Sequence, residues 1–402
     1  MRAGRVPELD GLRALLAWWV VVYHARGDTF SAAFAFTSGP LSFLSHGTLA
    51  VDAFMILSGF VIFFLLDRDR ETYRVFIGRR FMRLFPAYAV CFAVMLFLQG
   101  AYIENLYALR PFHTPQAFAG MLRDAQEPVR QWPAQILVHA LLLHGPIPDA
   151  WLHNSAGAFL TPAWSVSLEW QFYLVAPLAY WLLQRGGVAG AAVCVLVTAL
   201  AYATRGLWPR MSFSAFLPIH LHLFAAGVAS YWGFKWASEQ RGSPRAALAW
   251  APLAALLATA AFLVANTLRL GADGLLPSRW LPLSIWVLVL GCVLAGLSDT
   301  PGRLARAARR FLVWRPLRFL GEISYSTYLV HWPVLVATTA VLRRFVELTP
   351  SLHFAWLLAL GSPLVVLASW ALHRWVERPG IALGRRWAQR PSSRLLPGRS
   401  SS

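Results

Sequence analysis

Residues 11–26 read GLRALLAWWVVVYHAR, an apolar stretch that carries an arginine near its start and a histidine near its end. Arg13 and His24 are separated by about 1100° of rotation and about 16 Å of rise on an α-helix, so both side chains lie on nearly one face. Ionisable residues inside lipid are costly and usually line a polar cavity or a substrate path. The stretch therefore predicts a membrane helix with one functional face.

The rest of the chain is equally apolar. Of its 402 residues, 57% are hydrophobic and 13% are charged, and the mean hydropathy is +0.52, a balance that ordinary soluble domains do not show. Apolar runs of roughly 18 to 22 residues, long enough to cross a bilayer as helices, recur almost to the C-terminus. We predict an all-α polytopic membrane protein with about ten transmembrane helices around a polar cavity. The predicted spans are residues 11–26, 47–66, 82–99, 166–184, 188–204, 214–234, 246–267, 280–298, 319–342 and 354–374.

Basic residues indicate the orientation of these spans. With the N-terminus inside, most of the 36 Lys and Arg residues fall in cytoplasmic segments, as the positive-inside rule requires. Both termini are therefore predicted to be cytoplasmic, and the expected location is the cell membrane, specifically the bacterial inner membrane. Residues 135–144 are apolar but too short to span, so we expect an interfacial or re-entrant helix there.

The formal net charge of +18 bears on the partners of the protein. The positive residues lie in short loops beside apolar spans, which favours contact with anionic membrane lipids over binding to nucleic acid. The three cysteines have neither disulfide nor metal-site spacing, and no metal is expected. Residues 1–378 are predicted to form the transmembrane domain, and residues 379–402 a basic, disordered cytoplasmic tail.

Arg80 and Arg83 lie three positions apart in the segment RRFMRLFP, residues 79–86, which we place after the second span. Two arginines on one helical face form a fork that suits phosphate oxygens. A flank that only obeys the positive-inside rule has the same composition. The segment is therefore either a topology signal or a site for a cytoplasmic phosphorylated ligand, near which Arg13 would also lie.

Three further ionisable residues are candidates for chemistry at membrane depth. His24 is the best candidate for a general base, because a buried imidazole stays neutral near pH 7 and accepts a proton. Asp52, near the outer end of the second span, is a candidate to orient His24. Glu169 is either a helix-start residue that favours the helix N-terminus or a site residue together with Tyr173, one turn along.

Other histidines carry less weight. His331 precedes Pro333 on a predicted kinked helix, where it and the nearby Tyr328 would line the cavity or bond to a neighbouring helix. His139 and His144 lie in the short amphipathic stretch and are expected to meet lipid headgroups.

Taken together, these segments resemble the membrane acyltransferase-3 family, integral membrane enzymes that acylate sugars and glycans. The matching motifs are residues 8–14 with the arginine-x10-histidine spacing of Arg13 and His24, residues 51–60, the Arg80-x-x-Arg83 pair, and residues 164–173, 324–333 and 377–379. They occur in the family's order along almost the whole chain. One departure is Trp170, where family members often have a second acidic residue.

The resemblance implies an acyl-CoA-dependent O-acyltransferase that moves an acyl group, by default acetyl, to a hydroxyl of a sugar or cell-surface glycan. Acyl-CoA, by default acetyl-CoA, would be a co-substrate, and no tightly bound cofactor is expected. The residues assigned to catalysis are His24, Asp52 and Glu169. Those assigned to acyl-CoA binding are Arg13, Arg80 and Arg83. Those assigned to the cavity wall are Ser58, Trp164, Tyr173, Ser324, Tyr328 and His331.

Two competing functions would also place polar residues in a many-helix bundle. A transporter or flippase for an acyl group or a lipid-linked glycan commonly shows internal repeats, and the two halves of this chain show no convincing similarity. A non-catalytic subunit of a polysaccharide assembly complex would have no reason to keep Arg13 and His24 in register.

Overall fold

The computed structural model describes residues 6–27, 42–239, 281–295, 303–347 and 349–389. All regular structure in these ranges is helical. The α-helices are α1 (Pro7–Gly27), α2 (Gly47–Asp69), α3 (Tyr73–Leu109), α4 (Pro115–Arg130), α5 (Trp132–Ala140), α6 (Trp164–Arg185), α7 (Gly187–Ala203), α8 (Leu217–Glu239), α9 (Leu281–Ala295), α10 (Arg303–Leu312), α11 (Arg315–Glu322), α12 (Ser324–Leu342), α13 (Pro350–Trp356), α14 (Ser362–Leu372) and α15 (Arg378–Ala388). Short 3₁₀ turns cover Ser42–Ser45, Arg110–Phe112, Thr161–Ala163 and Ser212–Ser214, and π-helical turns at Leu357–Gly361 and His373–Glu377 join α13, α14 and α15.

Four helical segments are long and apolar enough to cross a membrane. They are Gly47–Asp69, Tyr73–Phe112, Ser212–Glu239 and Pro350–Ala388. The predicted all-α architecture is confirmed for the described residues, whereas the number of ten spans and the cytoplasmic termini stay predictions. The predicted span at residues 246–267 lies outside the described residues.

Several predicted boundaries are wrong. The third span was expected at residues 82–99, but α3 begins at Tyr73, so Arg80 and Arg83 lie within the helix and not at its start. Pro86 is accommodated inside α3. The predicted span 319–342 is two helices, α11 and α12, that meet at Ile323.

The predicted boundary between membrane domain and tail at residue 378 is also displaced. The last helix, α15, continues to Ala388 and packs on α3, where a Cβ added to Gly380 would lie 2.7 Å from the carbonyl oxygen of Met82. Residues 379–388 therefore belong to the packed bundle, because glycines let this helix approach the α3 backbone. Residues 390–402 lie outside the described residues.

Glycines also bring α2 close to α8. A Cβ on Gly59 would lie 2.2 Å from the carbonyl oxygen of Phe224, and a Cβ on Gly227 would lie 1.9 Å from that of Ile56. Small residues let helix backbones approach this closely. The resulting van der Waals packing stabilises helix pairs in lipid, where the hydrophobic effect does not drive their association. At the far end of the same helices, the Asp67 carboxylate accepts hydrogen bonds from Tyr180, Tyr231 and Lys235. This contact joins α2, α6 and α8.

The segment between α5 and α6 is built around two histidines. His139 and His144 are almost completely buried and stack with ring centroids 4.1 Å apart. The Tyr88 hydroxyl donates to His139 Nδ1 at 2.5 Å, and the Nε2 atoms of the two histidines donate to the carbonyl oxygens of Ser155 and Ala163, each at 3.0 Å. The expectation that these histidines meet headgroups is therefore wrong, since they hold the loop that leads into α6.

Candidate active site

An inner cavity of about 910 Å³ lies between α1, α2, α3, α6, α12 and α15. Seven arginines line it, among them Arg13 from α1 and the pair Arg80 and Arg83 from α3. Residues three apart on a helix face the same way, which is why the pair on α3 reaches one cavity. The structure thus brings together all three residues assigned to acyl-CoA binding.

The arginines of this region differ in their partners. Arg79 forms ion pairs with Asp69 and Glu71. Arg80 and Arg83 form no ion pair or hydrogen bond with a described residue, and Arg80 Nε is buried without a partner. The Arg80 guanidinium lies over the Phe76 and Tyr173 rings, at 5.6 and 6.0 Å from their centroids.

Guanidinium groups without an ion-pair partner on a cavity wall indicate that the cavity suits an anion. Burial of a charge is costly unless a partner is present, and the donors of a guanidinium match phosphate oxygens in geometry. Arg13 is only weakly engaged, with Nη1 at 3.5 Å from Asp10. The inner cavity can therefore accept a polyanion.

Glu169 and Tyr173 face the same cavity from α6. Because α6 begins at Trp164, Glu169 lies beyond its first turn, so the interpretation as a helix-start residue is wrong. The Tyr173 hydroxyl donates a short hydrogen bond to Glu169 Oε1, and the Ser58 hydroxyl lies at 3.5 Å from the same oxygen. Ser58, Tyr173 and Glu169 thus form one polar group of the inner cavity, together with the lining residue Ser324.

A second, outer cavity of about 380 Å³ contains His24. Trp164 lines this cavity and not the inner one. Its wall is largely uncharged and combines aromatic rings with amide and hydroxyl groups, including Gln99, Asn154 and Thr161. The wall of the outer cavity is thus largely uncharged, whereas the wall of the inner cavity carries several arginines.

Val51 and Tyr328 line both cavities. The Tyr328 hydroxyl donates to the carbonyl oxygen of Pro162 at 2.8 Å and accepts from the Ser165 hydroxyl at 2.7 Å. Val51 and Tyr328 are each more than nine-tenths buried. They form a thin partition between the arginine-lined cavity and the cavity that contains His24.

His24 is paired with a second histidine. His24 Nδ1 lies 3.0 Å from His331 Nε2, and the two rings are 5.0 Å apart. His331 is fully buried and lines neither cavity. The assignment of His331 to the cavity wall is therefore corrected: it lies behind His24.

Asp52 does not orient His24. No hydrogen bond or ion pair joins the two side chains among the described residues, and Asp52 is absent from the walls of both cavities. Val51, the neighbour of Asp52 on α2, lines the cavity that contains His24, whereas Asp52 does not. Its assignment to catalysis has no support from the geometry.

A family model described as an acyltransferase domain matches residues 6–374. The chain belongs to the acyltransferase-3 family. The match spans the residues of both cavities that come from α1 to α12, whereas Glu377 and the α15 residues of the inner cavity lie beyond it.

Curated relatives in this family are similar over most of the chain. Acyltransferase MdmB of Streptomyces mycarofaciens is 27% identical over 351 residues, which are 83% of this chain and 80% of the relative. Peptidoglycan O-acetyltransferase OatA of Listeria monocytogenes is 24% identical over 363 residues, and O-acetyltransferase OatA of Staphylococcus aureus is 25% identical over 353 residues. These cover 84% and 82% of this chain but only 50% and 51% of the relatives. No solved structure matches the chain.

One polar group of this family site was not assigned from the sequence. Glu377 is buried and accepts hydrogen bonds at 2.8 Å from the Ser326 hydroxyl and from His373 Nδ1. It lines the inner cavity. The signal was present, since residues 377–379 are one of the family motifs, but nothing in a motif states which helix its carboxylate contacts.

Metal chemistry receives no support from side-chain grouping. Within the described ranges, no three His, Cys, Asp or Glu side chains are close enough to hold an ion. What the site does provide is a cationic cavity, a neutral cavity with an imidazole, and a partition between them.

Proposed function

We propose that this protein is an integral membrane O-acyltransferase that moves an acyl group, by default acetyl, from cytoplasmic acyl-CoA to a hydroxyl of a sugar or cell-surface glycan. The observation that carries the proposal is the placement of unpaired arginines and of His24 in separate cavities that share a wall at Val51 and Tyr328. A phosphorylated donor and a neutral acceptor would each find a matching surface. The donor's acyl end would meet the acceptor at the partition.

The inner cavity supports the donor assignment. Coenzyme A carries several phosphate charges, and each charge-assisted hydrogen bond contributes roughly 1.5–3 kcal/mol. Arg80 and Arg83 have unused donors, and Arg13 supplies a third guanidinium. Because the chain belongs to a family of acyltransferases, the phosphorylated ligand that fits the proposal is an acyl thioester of coenzyme A.

The outer cavity supports the acceptor assignment. Its aromatic and amide side chains suit an uncharged molecule with hydroxyl groups, and relatives are named as O-acetyltransferases, one of them of peptidoglycan. His24 would take the proton of the acceptor hydroxyl as its oxygen attacks the thioester carbonyl, or would carry the acyl group transiently. In either route the C–S bond breaks, a C–O ester bond forms, and the proton ends on the thiol of coenzyme A.

The proposal includes the predicted location. With both termini cytoplasmic in a bacterial inner membrane, the arginine cavity would open toward the cytoplasm and its acyl-CoA pool. Lipid contact through basic flanks would follow from the same topology. A transporter or flippase is not favoured, because the family model describes an acyltransferase domain.

The test is mass spectrometry of surface glycans from cells with and without the protein. We expect an added acyl mass, 42 Da for acetyl, only when the protein is present. The variants His24→Ala and Arg80→Ala should remove it at normal protein level. Arg74→Ala is the matched control, because Arg74 lies on the same helix as Arg80 but is exposed and outside both cavities. Full acylation by His24→Ala and Arg80→Ala would overturn the assignment.

A further inference from the structure

A chain of three groups starts at the backbone of α12 and ends in the outer cavity. The carbonyl oxygen of Thr327 lies 3.1 Å from His331 Nδ1, and His331 Nε2 lies 3.0 Å from His24 Nδ1. Thr327 and His331 are four positions apart on one helix, so helix geometry itself fixes their contact. His24 faces the cavity at the other end.

This geometry determines where the protons are. A carbonyl oxygen only accepts, so His331 Nδ1 carries the hydrogen and donates it. In a neutral imidazole the other nitrogen is then an acceptor, so His331 Nε2 presents a lone pair to His24. His24 Nδ1 therefore donates in this contact, and the carbonyl oxygen of Val20, one turn earlier on α1, is a second acceptor for the ring. Nε2 is then the basic nitrogen of the neutral His24 ring.

The pair is held rigidly by its surroundings. His331 is fully buried. The His24 ring makes edge contacts with Tyr23 at 4.9 Å and with Trp332 at 5.3 Å between ring centroids. Aromatic packing of this kind limits rotation of the imidazole.

We propose that His331 is the positioning residue of His24 and selects the tautomer in which His24 Nε2 is the reactive nitrogen. This inference rests on the proposed function. In hydrolytic triads a carboxylate fixes the histidine tautomer; here a neutral imidazole anchored to a backbone carbonyl does so. When His24 Nε2 takes the proton of the acceptor hydroxyl, its Nδ1–H continues to donate to His331 Nε2, and the proton passes to the departing thiolate when the C–S bond breaks.

The test compares two replacements of His331 in the full-length protein. His331→Gln keeps a side-chain oxygen that accepts from His24 Nδ1, whereas His331→Leu keeps bulk and removes the acceptor. The readouts are alkali-releasable acetate on surface glycans, normalised to protein level, and binding of acetyl-CoA to the purified protein by thermal shift. We expect at least a tenfold loss of acetate for His331→Leu, a loss several-fold smaller for His331→Gln, and unchanged acetyl-CoA binding for both.

The outcomes separate this inference from the proposed function. Full acetate with His331→Leu, or equal losses for the Leu and Gln variants at equal binding, would overturn the positioning role while a dead His24→Ala variant kept the proposed function intact. Full acetate with His24→Ala would instead overturn the proposed function.

Discussion

The Ser165 hydroxyl donates to the Tyr328 hydroxyl at 2.7 Å, and this contact joins α6 to α12 at the partition between the two cavities. The Tyr328 hydroxyl in turn donates a hydrogen bond to the carbonyl oxygen of Pro162. The aromatic ring is thus fixed at a point that both the donor and the acceptor of the proposed reaction must approach.

Removal of this hydroxyl should slow transfer without weakening donor binding. Tyr328→Phe loses two hydrogen bonds, each worth about 0.5–1.5 kcal/mol, while the carbonyl oxygen of Pro162 keeps the Ser165 hydroxyl as a donor at 3.5 Å. We expect a three- to tenfold lower acyl transfer with unchanged acetyl-CoA affinity, measured by glycan acetate and by thermal shift. An equal loss of affinity would place the Tyr328 hydroxyl in donor binding instead.

The arginine fork should respond to geometry as well as to charge. Arg80→Lys keeps the charge but loses the planar set of donors that matches phosphate, so we expect about tenfold weaker binding of acetyl-CoA, which corresponds to about 1.4 kcal/mol. Arg83→Gln should weaken it at least as much. Isothermal titration with the purified protein measures both, and Arg74→Ala serves as the unaffected control. Wild-type affinity in Arg80→Lys would show that only charge matters there.

The partition should also limit the size of the acyl group. Val51 lines both cavities and is 4% exposed, so Val51→Ala removes two methyl groups from the wall. In competition between acetyl-CoA and butyryl-CoA, this variant should shift the ester products toward butyryl. Val51→Phe should shift them toward acetyl or stop transfer. A product ratio that does not move with side-chain size would place the acyl path away from Val51.

The buried loop histidines predict a pH effect on stability. Burial lowers the pKa of His144, which follows α5 and lies outside the spanning helices, to about 4. The unfolded chain therefore binds its proton at higher pH than the folded one, so stability is full above about pH 6.5 and declines as pH falls toward 4. The thermal midpoint in detergent should drop between pH 7 and pH 5. His144→Gln should show a shallower drop, and an identical slope would assign the effect to other groups.

The sequence predicted those parts of the site that depend on one helix at a time. The shared face of Arg13 and His24 and the fork of Arg80 and Arg83 follow from spacing alone, and the structure places the three arginines in one cavity. The partner of His24 did not follow. His331 is 307 positions away in the chain. Whether His331 or Asp52 contacts His24 depends on the rotation of each helix about its axis, and the hydrophobic pattern of a membrane span does not determine that rotation.

Burial of polar side chains was equally hard to predict. His139 and His144 were assigned to the surface because imidazoles in a short amphipathic segment commonly reach headgroups. Their burial depends on Tyr88 from α3 and on two loop carbonyl groups. Such acceptors are invisible to residue patterns, because any residue type supplies a carbonyl oxygen.

The π-helical turn at His373–Glu377 and α15 give the inner cavity part of its wall, since Glu377, Arg378 and Arg385 all line it. The stretch that the family model matches stops at residue 374, before all three. A protein shortened to that limit would keep the family's recognisable sequence and yet lack one side of the wall of the inner cavity. Because α15 packs on α3, a fragment intended for assay or for fusion to another chain should end at residue 389 or beyond. The limit of sequence similarity is not a suitable end point.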